Sequence, residues 1–181
     1  MLEKPVNVLF LCTHNSARSI LAEAILNHVG KGRFKAFSAG SSPRENQQPN
    51  PMALKVLESA GISTAGLRSK TWDEFATADA PPQASPAPSG ASPGAVVMDL
   101  VITVCDNAAG EVCPFWPGHP ATAHWGYADP SASDGSDAQK MDAFRQTLLA
   151  LKHRLELLTN LPTANIQRLV LEKSVRDLAT S

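Results

Sequence analysis

The chain has 181 residues, of which 43% are hydrophobic and 18% charged, a composition that is typical of a globular protein and excludes wholesale disorder. The formal net charge of -1 gives no electrostatic reason to expect binding to nucleic acid or to an acidic membrane. No stretch has the pattern of a signal peptide or the length of a membrane span, so we expect a cytoplasmic protein with one domain over residues 1–181.

The first predicted element is an apolar strand at residues 6–11, and apolar residues at helical spacing follow over residues 20–28. The turn between them begins at Cys12. Backbone N–H groups of a loop that enters a helix converge near the helix N-terminus, where an anion is stabilised. We therefore predict an oxyanion site above Cys12, formed by Thr13, His14, Asn15, Ser16, Ala17, Arg18 and Ser19.

Cys12 lies at the mouth of this loop, where positive potential is expected to lower the pKa of the thiol and make the sulfur a nucleophile. Ser19 is expected either to hydrogen-bond this sulfur or to cap the following helix. The alternative is that Cys12 packs inertly after the strand while Arg18 is solvated. The strand before the loop and the helix after it favour the reactive cysteine.

Residues 33–40 have the pattern of a second strand that ends at a glycine, and the helix between the two strands implies parallel pairing. A polar loop with Arg44 follows, and then a helix over residues 52–60 that stops at Gly61. Arg44 is a weak candidate for substrate contact, and we expect it to be solvated. Residues 77–95 are rich in Pro, Ala and Ser and predict an inserted mobile surface loop.

The strongest strand pattern is the β-branched run at residues 96–104, which leads directly into Cys105. A weaker fourth strand at residues 121–126 precedes Asp129, and spaced apolar residues over 137–158 predict a long amphipathic helix, with a last short helix after it. The order predicts an α/β fold: a single doubly wound domain with a four-stranded parallel sheet flanked by helices. Cys12 and Cys105 each follow a strand, so both are expected at the carboxyl edge of the sheet.

Residues 12–19 resemble the phosphate-binding loop of the low-molecular-weight protein tyrosine phosphatases, a family that also contains thiol-linked arsenate reductases. The resemblance makes Cys12 the nucleophile, Arg18 the oxyanion ligand and Asn15 a support for the loop. The loop departs from the family at His14, where glycine is frequent, and at Ala17, where a second cysteine is frequent.

The stretch from Cys105 to the Cys-Pro pair at Cys113 also resembles the arsenate reductases, and it identifies these residues as two resolving cysteines. The implied reaction is attack of Cys12 on arsenate, release of arsenite with a Cys12–Cys105 disulfide, and exchange to a Cys105–Cys113 disulfide. Electrons would come from thioredoxin, or from glutathione with glutaredoxin. Two inert buried cysteines are the alternative, and their spacing is too wide for the usual zinc knuckle.

An Asp-Pro pair at Asp129 resembles the phosphatase loop that carries the general acid, so Asp129 would protonate the leaving oxygen. Residues 131–136 offer no aromatic platform for an aryl group, which favours a small oxyanion such as arsenate, with phosphate or sulfate as analogues. Asn15, Glu23 and Ser38 match positions that bind potassium in some arsenate reductases, and each is equally well explained as a structural residue.

Three functions stay open from the sequence, and none assigns a catalytic metal. The first is a cytoplasmic arsenate reductase. The second is a phosphatase acting on phosphotyrosine or aryl phosphates, with Cys105 and Cys113 as bystanders. The third is an oxyanion-binding or redox-sensing module in which Cys12 senses an oxidant and the insertion binds a partner.

Overall fold

The computed structural model describes residues 5–75, 98–104, 121–132, 135–160 and 175. Its strands are β1 (Val6–Cys12), β2 (Phe34–Gly40), β3 (Leu100–Thr103) and β4 (Ala121–His124). Its α-helices are α1 (Arg18–Val29), α2 (Pro51–Ser59) and α3 (Asp137–Thr159), and short 3-10 helices span Trp72–Phe75 and Pro130–Ala132. The strands form one parallel sheet with the order β2-β1-β3-β4, which confirms the predicted α/β fold.

The strand order explains why the carboxyl end of β1 is a suitable place for a site. From β1 the chain moves outward to β2 and then returns past β1 to β3, so its direction reverses between β1 and β3. In doubly wound sheets a crevice opens at the carboxyl edge where such a reversal occurs. Leu11 pairs with Thr103 across β1 and β3, and Cys12 is the next residue of β1. Cys12 therefore lies at the reversal.

The two faces of the sheet support separate apolar layers, because successive side chains of a strand point to opposite faces. The even-numbered residues of β1 from Val8 to Cys12 belong to the larger layer, together with the three α-helices. In that layer α3 buries Phe144, Leu148, Leu151, Leu155 and Leu158. Leu9 and Leu11 belong to the opposite layer, which contains Phe75 of the first 3-10 helix. Among the described residues, all three α-helices thus cover one face.

Local sequence accounts for where the helices begin. The Asn50 side chain accepts a hydrogen bond from the N–H of Met52 at 2.9 Å, and a proline occupies the first turn of α2. The predicted long helix begins after a capping box between Ser136 and Gln139. No helix within the described ranges is long and apolar enough to cross a membrane.

Several predictions fall on parts of the chain that the structure does not describe. These are the insertion at residues 77–95, the resolving cysteines at 105 and 113, and the last helix apart from Val175. Val175 is buried, and its carbonyl accepts a hydrogen bond from Trp125 Nε1 at 3.1 Å.

Candidate active site

The sulfur of Cys12 is buried and receives two hydrogen-bonding groups of its own loop. The N–H of Asn15 donates to Cys12 Sγ at 3.1 Å, and Ser19 Oγ lies 2.8 Å from the same sulfur. Ser19 therefore takes the first of its two predicted roles. The capping alternative is wrong, because α1 begins at Arg18 and its N-cap, Ala17, makes no side-chain cap. Both bonds stabilise a thiolate more than a thiol.

Asn15 organises the loop from a fully buried position. Its backbone is left-handed, with φ of 55°, a conformation that asparagine adopts more readily than most residues. Its Nδ2 donates to Ser19 Oγ at 2.8 Å, and its Oδ1 accepts from the N–H of Lys70 at 2.9 Å. An amide nitrogen can only donate, so Ser19 Oγ accepts there and its own proton is directed to Cys12 Sγ.

Four backbone carbonyls of the loop accept hydrogen bonds from residues that follow β2. The bonds join Ser41 N to Cys12 O (3.0 Å), Ser42 N to Thr13 O (2.8 Å), Ser69 Oγ to Asn15 O (2.6 Å) and Asn50 N to Ser16 O (2.8 Å). Because these carbonyls bind other parts of the chain, the loop is compatible with an anion-binding nest, in which backbone amides converge on the anion. The loop is therefore shaped by residues that follow β2.

Gly40, at the end of β2, allows this close approach of strand and loop. A Cβ on Gly40 would lie 2.7 Å from Thr13 O and 3.0 Å from Asn15 N and His14 C. All three are backbone atoms, so they cannot move aside as a flexible side chain would. The sequence analysis treated this glycine only as the end of a strand.

Arg18 joins the loop to the segment that carries Asp129. Its Nη1 donates to the carbonyl of Tyr127 at 2.8 Å, and its Nη2 lies 3.8 Å from Asp129 Oδ2. Asp129 Oδ1 accepts from both the N–H and the hydroxyl of Ser131, at 2.9 and 2.7 Å. The alternative that Arg18 is merely solvated is therefore wrong. The fold brings together the predicted oxyanion ligand and the predicted acid.

A cavity of about 540 Å³ opens beside the loop. His14 and Ser16 form one wall, Asp129 and Ser131 another, and residues 44–51 a third. Arg44 is exposed as predicted, and it also lines this cavity. None of the described lining residues is Phe, Tyr or Trp, so these walls offer polar groups to an oxyanion and lack the large aromatic side chains on which an aryl group stacks.

The potassium site suggested by the resemblance does not fit this chain. Ser38 Oγ donates to Glu23 Oε2 at 3.2 Å, and the ammonium of Lys70 lies 3.8 Å from Glu23 Oε1. Burial raises the pKa of Glu23 and lowers the pKa of Lys70, and the charge of each opposes the shift of the other. Both amide atoms of Asn15 already have protein partners. A protein cation thus already compensates the Glu23 carboxylate, and no metal-type cluster of three or more His, Cys, Asp or Glu side chains occurs in the described ranges.

Cys105 and Cys113 lie outside the described residues, but the strand that leads to Cys105 does not. The N–H of Val104 donates to the carbonyl of Leu11 at 2.8 Å, and the N–H of Tyr127 donates to the carbonyl of Val104 at 3.2 Å. Val104, the residue before Cys105, therefore lies beside Leu11, the residue before Cys12.

Sequence reasoning missed three contributors to the site. Lys70 and Ser69 hold Asn15, and the Tyr127 carbonyl holds Arg18. None of them belongs to a motif, and the carbonyl carries no sequence signal at all. Gly40, which also contacts the loop, was noted in the sequence, but only as the end of a strand.

Removing the Ser19 hydroxyl should make Cys12 harder to ionise. We expect Ser19→Ala to raise the midpoint of the pH profile for Cys12 alkylation by iodoacetamide by about one to two pH units, the worth of one hydrogen bond to a charged group. Ser16→Ala is the control, because it deletes a hydroxyl from the same loop that makes no hydrogen bond within the described structure. An unchanged midpoint in Ser19→Ala would contradict the assigned bond.

A buried cysteine in a strand-to-helix loop, with an arginine that meets an aspartate from another loop, defines a cysteine-dependent enzyme that acts on an oxyanion. The family model for the low molecular weight phosphotyrosine protein phosphatases matches residues 7–80. The arsenate reductase of Halalkalibacterium halodurans is 32% identical over 139 residues, which are 77% of this chain and 84% of that protein.

Two solved structures extend the comparison. The arsenate reductase of Archaeoglobus fulgidus superimposes with a TM-score of 0.58 at 27% identity, covering 85% of this chain and 99% of the other. The thioredoxin-dependent arsenate reductase of Corynebacterium glutamicum has the same fold, with a TM-score of 0.53 at 23% identity. The match covers 87% of this chain and 65% of the other. The chain belongs to the arsenate reductases of the low-molecular-weight phosphotyrosine protein phosphatase family.

Proposed function

We propose that this chain reduces arsenate to arsenite in the cytoplasm by a relay through its three cysteines. The observation that carries the proposal is the environment of Cys12. Its sulfur is hydrogen-bonded to the Asn15 N–H and the Ser19 hydroxyl, and backbone carbonyls of the same loop accept hydrogen bonds from residues that follow β2. A tetrahedral oxyanion fits such a loop, and the relatives of this chain are arsenate reductases.

The first step is nucleophilic substitution at arsenic. Arsenate lies on the loop amides and the Arg18 guanidinium, with the arsenic above Cys12 Sγ. The thiolate attacks, an As–S bond forms, and one As–O bond breaks. Asp129 gives its proton to the departing oxygen, which leaves as water. The Asp129 carboxyl lies 3.8 Å from the guanidinium that would bind the oxyanion, and this nearness to the substrate's oxygens supports the role.

The second step reduces arsenic. The Cys105 thiolate attacks Cys12 Sγ, an S–S bond forms, and the electron pair of the As–S bond passes to arsenic, which leaves as arsenite. The Cys113 thiolate then attacks Cys105 Sγ and frees Cys12, and an external thiol donor reduces the Cys105–Cys113 disulfide. Thioredoxin, or glutathione with glutaredoxin, is the proposed donor. The path of β3 beside β1 up to Val104 supports the approach of Cys105.

The deciding experiment follows NADPH consumption with arsenate, coupled through thioredoxin and thioredoxin reductase, and separately through glutathione and glutaredoxin. We expect turnover with one donor and none in Cys12→Ser or Cys105→Ser. Cys113→Ser should release one equivalent of arsenite and stop as a Cys12–Cys105 disulfide, detected by peptide mass spectrometry. Full turnover in Cys105→Ser would refute the relay.

Hydrolysis of aryl phosphates is the second candidate function, because the matching family model is that of phosphotyrosine phosphatases. The same protein preparations would be assayed with p-nitrophenyl phosphate. Hydrolysis that survives both Cys105→Ser and Cys113→Ser, without arsenate turnover, would make the chain a phosphatase.

Asp129→Asn should separate proton donation from structure. Asparagine retains an oxygen that accepts the two bonds from Ser131, and the partly exposed Arg18–Asp129 pair contributes at most about 1 kcal/mol, so the melting temperature should change by only a few degrees. The rate of arsenite release in a single turnover should fall about 10²- to 10⁴-fold, the usual worth of a general acid. Asp142→Asn, on the exposed side of α3, is the control and should keep the full rate. A full rate in Asp129→Asn would exclude the carboxyl as the acid.

A further inference from the structure

We propose that the ammonium of Lys70 is a built-in cation that holds the oxyanion loop in its active shape, so that the loop needs no potassium ion. Lys70 is then a positioning residue for Cys12, acting through Asn15. The inference goes beyond the proposed reaction, because it concerns the loop and holds whichever oxyanion is the substrate.

The side chain of Lys70 is buried against α1. Its Nζ lies 3.8 Å from Glu23 Oε1 and donates to the carbonyl of Arg68 at 3.1 Å. The side chains of Lys70 and Glu23 are 7% and 12% exposed, so water screens their attraction little. Glu23 is also held by Ser38 of β2. The charge pair therefore fastens residues 68–70 to both α1 and β2.

The backbone of the same residue holds the loop. The N–H of Lys70 donates to Asn15 Oδ1 at 2.9 Å, and its carbonyl accepts from the N–H of Gly40 at 2.8 Å. The neighbouring Ser69 Oγ donates to the Asn15 carbonyl at 2.6 Å. Asn15 in turn donates to Ser19 Oγ and, through its own N–H, to Cys12 Sγ. A continuous chain of bonds thus connects the ammonium to the nucleophile.

Among the described residues, two further charges act on Lys70, those of Arg68 and Glu74, and they pair with each other. Arg68 binds the Glu74 carboxylate with both terminal nitrogens, at 2.9 and 2.7 Å. That pair lies on the outer side, where the Arg68 side chain is 52% exposed. Lys70 is accordingly the cation that compensates Glu23 in the interior, and this pairing leaves a monovalent ion no unpaired carboxylate to bind.

The test compares Lys70→Ala, which leaves the Glu23 carboxylate with an open space, and Lys70→Met, which fills that space without charge. Each protein is measured in K⁺ and in Na⁺ at equal ionic strength, by melting temperature and by the rate of Cys12 alkylation with iodoacetamide. Neither readout needs arsenate, so failure here is distinct from failure of the proposed reaction.

The wild type should give the same melting temperature and alkylation rate in both salts. Lys70→Ala should alkylate about 10- to 100-fold more slowly in Na⁺, the usual effect of losing a supporting residue, and should regain much of the rate and several degrees of melting temperature in K⁺. Lys70→Met should show the loss without the recovery. Glu23→Gln/Lys70→Ala should show no potassium effect, because the carboxylate that attracts the ion is gone.

Val56→Ala is the control for general destabilisation. It removes apolar contacts from the buried face of α2, so it should lower the melting temperature and leave the alkylation rate unchanged. An alkylation rate in both Lys70 variants equal to that of the wild type would overturn the positioning role. If K⁺ raised the melting temperature and the alkylation rate of the wild type as much as those of Lys70→Ala, the proposal that the Lys70 ammonium replaces a potassium ion would be overturned.

Discussion

Gly40→Ala is expected to inactivate the enzyme while leaving a folded chain. The added methyl would lie 2.7 Å from the carbonyl oxygen of Thr13 and 3.0 Å from the N–H nitrogen of Asn15, so the loop must move away from β2. A displacement near 1 Å costs about 100-fold in rate when it affects reacting groups. We therefore expect kcat/KM for arsenate to fall about 100-fold, and the overpacking to cost about 1–3 kcal/mol of unfolding free energy.

Gly61→Ala is the matched control for this prediction. A Cβ on Gly61 meets nothing within 4 Å, but φ is +73°, so alanine there is strained by about 1–2 kcal/mol. Both variants should lose similar stability in urea, and Gly40→Ala alone should lose activity. Equal activity in the two variants would show that the contact between β2 and the loop does not position Cys12.

Breaking the buried Glu23–Lys70 pair should cost far more than removing it. Lys70→Met leaves an uncompensated carboxylate in the interior, and we expect a loss of about 3–5 kcal/mol of unfolding free energy. Glu23→Gln/Lys70→Met contains no buried charge at this position and should lie within about 1 kcal/mol of the wild type. Urea unfolding at neutral pH measures both. A double variant as unstable as Lys70→Met would mean that the attraction itself, and not the unpaired charge, dominates.

The pH dependence of Lys70→Met provides a second check. Burial raises the pKa of Glu23 above its ordinary 4.5, and the Lys70 charge opposes that shift. Stability contributed by protonated Glu23 is complete below pH 4.5 and is lost as pH rises through the raised pKa. Loss of the Lys70 charge raises this pKa further. The deficit of Lys70→Met against the wild type should therefore shrink as pH falls from neutral toward 4.5. A deficit that grows would refute the assignment.

The elements around Cys12 were predictable because their signals are local. A run of apolar residues forms β1, helical spacing forms α1, and the eight residues between them carry the cysteine and the arginine. The doubly wound order followed from the alternation of strand and helix patterns, since a parallel sheet requires crossovers. The ends of β3 were less predictable: within the described residues the strand is Leu100–Thr103, while the apolar residues Met98 and Val104 on either side of it are buried without belonging to the strand.

The sequence by itself therefore determined the sheet and the strand-loop-helix unit around Cys12, and it predicted Cys12 as the nucleophile and Arg18 as the oxyanion ligand. The tertiary structure decided what holds that loop. Asn15 and Lys70 are 55 positions apart, and Arg18 and Tyr127 are 109 apart, yet both pairs are hydrogen-bonded. Such contacts depend on backbone groups, which every residue carries, and on the burial of one charge against another. The Glu23–Lys70 pair is of this kind, because only the folded chain shows which cation reaches Glu23.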